Sequence, residues 1–371
     1  MNQNITPLVM PKWGLAMKEG TLSAWHVKEG QTITPGQEIM DVETDKIANA
    51  VEAADGGLLR RRIGEIGQVY PVKALLGVMA PPEVSDAEID AYVAAFEVPA
   101  VDEADETTEP SYQFIDTPSG RLRYASRPGS GDRPIVLLHG FGGDLDNWLF
   151  NIDALSDAGH KAVYALDLPG HGGSTKAIAD PRLDALADAV EQFLDALDLQ
   201  DVNLVGHSMG GAVAAMVALR RRDFARSLTL IGSLGLGEEI NAAYIDGFVV
   251  AESRRDLKPV LKELFADENL VSRQMVDDLL KYKRLDGVRE TLRGLADATF
   301  RDGRQVHVLV HDLQAAAVPV QIIWGARDAI IPAAHASLLP AAKVEIVEGA
   351  GHMVMMEAAG RVNQLIRAFA A

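Results

Sequence analysis

Two kinds of hydrophobic periodicity divide the chain. Through about residue 80, short apolar runs alternate with polar positions and are closed by glycines, the pattern of an all-β unit. That stretch also nearly repeats itself at an offset of 37: Gly20, Leu22, Gly30 and Gln31 correspond to Gly57, Leu59, Gly67 and Gln68. Two half-motifs of this length predict a pair of interlocking sheets related by a pseudo-two-fold. From Tyr112 onward the pattern changes. Residues 135–138 form a continuous apolar run, as a strand buried on both faces requires, and 162–166, 202–205, 228–231, 320–324 and 344–347 follow suit. Two shorter segments, 112–116 and 121–126, predict an opening antiparallel pair. Helical spacing lies between the runs. Leu183, Leu186, Ala187, Val190, Phe193, Leu194 and Leu197 make one stripe, started by Asp180-Pro181, and 354–369 predicts a final helix. Such alternation predicts an α/β fold with a mostly parallel sheet.

Between the two patterns, residues 81–110 hold ten Asp or Glu and no Lys or Arg. Like charges extend such a chain, so this stretch is expected to be a flexible acidic linker, about 30 Å from end to end on average. Ile89, Tyr92, Val93 and Phe96 nevertheless fall at helical spacing, which allows a short docking helix within it. The expected domains are therefore 1–80, the linker 81–110, and 111–371. Within the last, residues 235–310 read as a helix-rich insertion after the sixth strand, with Leu257, Val260, Leu261, Leu264 and Phe265 on one face.

Composition narrows the functions. The formal net charge is −18 and basic residues cluster only briefly, so nucleic acid and anionic membranes are poor partners. The start lacks a signal-peptide pattern and no run is apolar enough to span a bilayer, so a cytoplasmic location is expected. There is no cysteine. Disulfides, thiolate metal sites and a cysteine nucleophile are excluded, and thiol chemistry would have to come from a cofactor or substrate.

Gly206-His207-Ser208-Met209-Gly210 joins an apolar strand to an Ala/Val-rich helix. The bland alternative is a glycine-rich turn feeding a helix. The pattern also fits a nucleophile elbow, where flanking glycines relieve crowding around a strained serine above a helix N-terminus. A serine hydroxyl needs a base to take its proton, and that base needs an orienting acid.

The second region resembles the α/β-hydrolase family over its whole length. His139-Gly140-Phe141-Gly142-Gly143 follows the third strand, Asp167-Leu168-Pro169-Gly170-His171-Gly172 the fourth, and the serine elbow the fifth. Trp324-Gly325-Ala326-Arg327-Asp328 ends the seventh and Gly349-Ala350-Gly351-His352 follows the eighth. The resemblance implies an eight-stranded sheet with a helical lid at 235–310, and a triad of Ser208, His352 and Asp328. Asp302 and Asp312 are fallback acids. Backbone N–H groups of Phe141 and Met209 would form the oxyanion hole. His139 and His207 are expected to shape loops rather than catalyse.

The first region resembles the lipoyl domain, a flattened all-β barrel, over residues 5–79. Glu43-Thr44-Asp45-Lys46-Ile47 matches that family's modified-lysine turn, and Met10-Pro11-Lys12-Trp13-Gly14 with Glu19-Gly20 matches its first strand and turn. The Met-Lys-Met pattern of biotin carriers is absent. The resemblance implies lipoate in amide linkage to Lys46, which would otherwise be an ordinary solvated turn lysine.

Together the halves resemble the acetyltransferase components of acetoin dehydrogenase complexes, in which a hydrolase-like domain replaces the usual acyltransferase domain. The H-x-x-x-D-G pattern of that usual domain is absent here. The resemblance implies transfer of an acetyl group from a lipoyl-Lys46 thioester to CoA, a thiamine-dependent acetoin-cleaving partner, a flavin dihydrolipoyl dehydrogenase, and a homo-oligomer in a complex. Two alternatives stand beside it: a carrier-fused serine esterase or thioesterase, and a lipoyl scaffold with a catalytically silent hydrolase domain.

Overall fold

The near-repeat in the first 80 residues is visible as matched hydrogen bonds. In the computed structural model, which describes residues 4–13, 17–44, 48–98, 112–129, 131–157, 161–222, 224–316 and 318–370, Gly30 N–H donates to Leu59 O and Gly67 N–H to Leu22 O, both at 2.7 Å. Leu22 N–H donates in turn to Gln68 O and Leu59 N–H to Gln31 O. Gly30 and Gly67 have nearly the same left-handed φ, 85° and 86°, which only glycine adopts without strain. The strands are β1 (Thr6–Val9), β2 (Glu19–Trp25), β3 (Thr32–Ile33), β4 (Glu38–Glu43), β5 (Ala48–Glu52), β6 (Gly57–Arg62), β7 (Val69–Pro71) and β8 (Leu75–Met79). They form two four-stranded sheets, ordered β1-β8-β6-β3 and β5-β4-β2-β7. Met10, Leu22, Met40, Val42, Leu59 and Leu76 fill the space between them and are fully buried.

Of the acidic stretch expected as a linker over 81–110, residues 99–110 lie outside the described residues, and the short helix allowed within it is present. This is helix α1 (Asp86–Ala95), started by a capping box in which Ser85 and Glu88 satisfy each other's backbone N–H. Ile89 on α1 is fully buried in a second small core with Ile5, Val78, Ala80 and Val84. Acid composition did not prevent folding because β6 supplies the opposite charge. Arg60 pairs with Asp86 at 2.8 Å and donates to the carbonyls of Pro81 and Val84, and Arg61 pairs with Asp90 at 3.0 Å. The chain divides into two units at Ser111–Tyr112.

The second unit is built on an eight-stranded sheet: β9 (Gln113–Thr117), β10 (Gly120–Arg127), β11 (Gly131–Leu138), β12 (Lys161–Leu166), β13 (Val202–His207), β14 (Ala225–Ile231), β17 (Val320–Gly325) and β18 (Lys343–Val347). Their spatial order is β18-β17-β14-β13-β11-β12-β10-β9. β9 and β10 pair antiparallel, β10 pairs antiparallel with β12, and the remaining pairs are parallel. The amphipathic stripe forms α3 (Leu183–Ala196), which follows a shorter α2 (Ile152–Asp157). Every residue of the central strand β13 is buried, as is almost all of the following helix α4 (Met209–Arg220). Between β14 and β17 lies the cap: α5 (Ala242–Val250), α6 (Arg254–Lys262), α7 (Arg273–Lys283), α8 (Val288–Thr299), a hairpin of β15 (Phe300–Arg301) with β16 (Arg304–Gln305), and α9 (Val310–Ala315).

The final helix expected over 354–369 is broken in two, α10 (Val354–Glu357) and α11 (Ala359–Ala370). Ala358, at φ −132° and ψ 48°, interrupts it where Glu357 turns back toward the loop before α10. Among the described residues no helix is long and apolar enough to cross a membrane.

Candidate active site

The elbow follows from close packing of backbone on backbone. A Cβ on Gly206 would overlap the carbonyl of Gly210, and one on Gly210 would overlap the carbonyls of Leu138 and His139. Only glycines let strand, turn and helix approach this closely. Between them Ser208 adopts φ 52° and ψ −118°. A non-glycine residue there is strained, and the surroundings hold it in place. Ser208 N–H donates to Ile231 O at 2.9 Å, while its carbonyl accepts from Gly211 N–H and Leu234 N–H. Ser208 is 8% exposed, at the head of α4.

Asp328 lies just beyond β17 in a turn that fixes its carboxylate. One oxygen accepts the N–H groups of Ile330 and Ile331, at 2.8 and 2.9 Å. The other accepts from His352 Nδ1 at 2.8 Å. The Trp324 indole stiffens the turn by donating to Ile331 O. With Nδ1 engaged, Nε2 of His352 is the ring nitrogen left for proton transfer. Both side chains are buried. The fallback acids are elsewhere: Asp302 is exposed in the β15–β16 turn and Asp312 is exposed on α9.

Elbow, acid and base converge around Ile231–Gly232. A Cβ on Gly232 would sit 3.3 Å from His352 Nδ1 and 3.4 Å from Asp328 Oδ2, next to the residue whose carbonyl receives Ser208 N–H. The His207 ring lies 4.7 Å from the His352 ring, and its Nε2–H donates to His352 O at 3.0 Å. Burial holds His207 well below the usual imidazole range, so it is neutral. Among the described residues no hydrogen bond joins Ser208 Oγ to His352. Such contacts often tighten only when substrate is bound.

Phe141 and Met209 are the expected oxyanion donors. Met209 is the first residue of α4, where helical N–H groups have no intrahelical acceptor. Phe141 follows Gly140, whose Cα would carry a Cβ 3.0 Å from that of Ser208. His139 braces this loop: Nδ1–H donates to Gly140 O and Nε2 accepts Leu168 N–H. Burial pushes His139 down to about 4 and His171, 5.0 Å away ring to ring, down to about 3.

The cap closes over the same loop. Phe248 of α5 packs edge-on against Phe141 at 5.6 Å and occupies the space a side chain on Gly142 would need. Lys283 of α7, 2% exposed, donates to Phe248 O and Ala251 O and so caps the C-terminus of α5. Tyr282 donates to Gly170 O at 2.6 Å and Thr291 to Lys176 O at 2.8 Å, fastening α7 and α8 to the 167–176 loop.

In the first unit, Glu43 at the end of β4 faces Ala48 at the start of β5. Four residues therefore join the two strands, and Lys46 is one of them. Lys46 itself lies outside the described residues. Sequence reasoning passed over Gly232, Phe248 and Glu357, and gave His207 only a loop-shaping part. Their roles come from contacts more than 90 residues apart in the chain, which no local pattern encodes.

Comparison with known proteins agrees with this architecture. Residues 133–359, more than half the chain, match the model of the alpha/beta hydrolase fold family, and residues 6–69 match the biotin and lipoyl attachment model described as biotin-requiring enzyme. The chain is 52% identical over 368 residues to the "dihydrolipoyllysine-residue acetyltransferase component of acetoin cleaving system" of Cupriavidus necator, covering 99% of this chain and 98% of that protein. It is 49% identical to the protein of the same description from Pseudomonas putida, covering 98% of each. Among solved structures, a carboxylesterase from Bacillus subtilis matches with a TM-score of 0.62 at 20% identity, over 71% of this chain and 92% of that one. A meta-cleavage product hydrolase from Pseudomonas fluorescens matches with a TM-score of 0.62 at 21% identity, over 69% and 96%. These two likenesses are of fold alone. The chain belongs to the family of dihydrolipoyllysine-residue acetyltransferase components of acetoin-cleaving systems, a lipoyl unit followed by a domain of the alpha/beta hydrolase fold.

Proposed function

We propose that the chain transfers an acetyl group from a thioester carried on Lys46 to CoA, using Ser208 as nucleophile, His352 as base and Asp328 as the acid that orients it. The observation that carries this reading is the buried His352–Asp328 pair beside a serine held at φ 52°. Lipoate in amide linkage to Lys46 would supply the thiol that carries the acyl group. Ser208 Oγ adds to the thioester carbonyl carbon and passes its proton to His352 Nε2. The C–S bond then breaks and His352 returns the proton to the departing sulfur. CoA enters, its thiol proton moves to His352, and its sulfur adds to the acyl-serine. The C–O bond breaks, the proton goes back to Ser208 Oγ, and acetyl-CoA leaves. In each half the negative charge on the carbonyl oxygen is held by the N–H groups of Met209 and Phe141. Asp328 steadies the imidazolium that forms each time.

The cap has a specific task in this scheme. Acyl-serine reacts with water as readily as with a thiol once water reaches it, so a transferase must be drier than an esterase of the same fold. Phe248 over the Phe141 loop supplies that cover. The acetoin-cleaving assignment of the relatives further supports a thiamine-dependent enzyme as the source of the acyl group and a flavin dehydrogenase to reoxidise the dithiol, in a cytoplasmic complex. Acetyl-CoA and free acetate, measured from acetyl-dihydrolipoamide with and without CoA, test the proposal. Acetyl-CoA should dominate when CoA is present. Acetate at an unchanged rate would point to an esterase, and no acyl release at all to a scaffold.

A further inference from the structure

The loop bearing His352 is fastened to the cap by a side chain that the reaction scheme does not use. Glu357, the last residue of α10, reaches back with both carboxylate oxygens. Oε2 accepts the N–H of Gly351, the residue before the base, and Oε1 accepts the N–H of Ala266 in the cap, each at 2.7 Å. The two segments it joins are in close contact. A Cβ on Gly351 would lie 2.6 Å from Ala266 N and 2.9 Å from Phe265 C, and Met353 N–H donates to Leu264 O at 3.1 Å. The same loop also receives, at the carbonyl of His352, the His207 N–H described above. The base is therefore clasped between elbow and cap.

We propose that Glu357 is a positioning residue whose carboxylate latches cap segment 264–266 to the loop carrying His352, so that cap closure and placement of the base are one event. The proposal rests on Ser208 and His352 acting as the acyl-transfer pair. Its chemistry demands a carboxylate. Its oxygens face only backbone N–H groups, those of Ala266 and Gly351 at 2.7 Å and that of Asp267, so an amide at this position would turn a donor toward a donor, and protonation would do the same. Burial, seconded by the negative charge of Asp267, raises the carboxyl above its ordinary range, while the N–H groups of Ala266, Gly351 and Asp267 pull against that shift. Acid therefore releases the latch, at a higher pH than an ordinary glutamate would need.

Two readouts on the full chain test this. In Glu357→Gln, amide hydrogen exchange at Gly351 and at Ala266 should both quicken while β13 amides keep their protection, and the ratio of acetyl-CoA to acetate should fall about tenfold, the scale of one lost charge-assisted hydrogen bond. Unchanged protection at either amide would overturn the latch. Loss of protection with an unchanged product ratio would overturn its part in transfer. Should Glu357→Gln fail to fold, the wild-type chain gives the same answer through its protection factors, which should fall together at Gly351 and Ala266 with one midpoint above the ordinary glutamate value of about 4.3, and by more than those of the β13 amides, which report the loss of the whole unit's stability in acid. Separate midpoints, or none, would contradict it. Exchange is read without turnover, so failure of the latch is distinguishable from failure of the serine route, which Ser208→Ala tests by itself.

Discussion

Asp328 shows how much of this site is fixed by single hydrogen bonds. Its carboxylate has two backbone donors on one oxygen and His352 on the other, so it can hold one imidazole tautomer and no other. Asp328→Asn would offer an N–H to a ring nitrogen that must itself donate, and kcat for acetyl transfer should fall roughly 10²–10⁴-fold with the fold intact by circular dichroism. Stability has its own titration. His139 and His171 are buried neutral, at about 4 and about 3, against about 6.5 in an unfolded chain. Between those values the unfolded state binds more protons, so stability is full above about pH 6.5 and is lost as acid is added. The melting temperature of the second unit should drop on the order of 5–10 °C from pH 7 to pH 5. A flat profile over that range would mean that neither ring is held below its ordinary range in the folded chain. The candidates Ser208, Asp328 and His352 could be proposed from the sequence because each sits on a motif at a strand end. The latch at Glu357 and the tie at His207 were not, since each acts on a backbone group brought near only by the fold.

At the level of elements, the elbow was legible because its geometry leaves few choices. A strand that reverses into a helix on top of β11 needs bare Cα atoms at Gly206 and Gly210. Gly210→Ala would force a methyl into the carbonyls of Leu138 and His139 and should cost more than about 2 kcal/mol, read as a lowered melting temperature together with lost acyl transfer. The final helix was harder. Its apolar spacing runs straight through Ala358, and nothing in the periodicity marks the break that lets Glu357 turn inward. In the acidic stretch the helical spacing of Ile89, Tyr92, Val93 and Phe96 told more than the charge did. Composition counts charges but not partners, and the partners of Asp86 and Asp90 are Arg60 and Arg61 on a strand some 25 residues earlier. Once paired, α1 could bury Ile89.

For the whole molecule, the two periodicities at either end of the acidic stretch announced two units of different class, and the structure divides there. Each unit has its own core, so their stabilities should be separable. Ile89→Ala removes a fully buried side chain from the first unit and should cost it about 2 kcal/mol, moving its melting transition down by roughly 10 °C and leaving that of the second unit in place. A shift in both transitions would show that the units unfold together. The activity proposed above asks more of the chain than either unit gives alone, a thiol carrier in one and a dry, activated serine in the other. The most direct test is the rate of acetyl-CoA formation from acetyl-dihydrolipoamide and CoA by Ser208→Ala, with mass spectrometry confirming that Lys46 still carries its lipoyl group. The account predicts that acetyl-CoA formation is abolished while lipoylation persists; acetyl-CoA formed at the wild-type rate would contradict it.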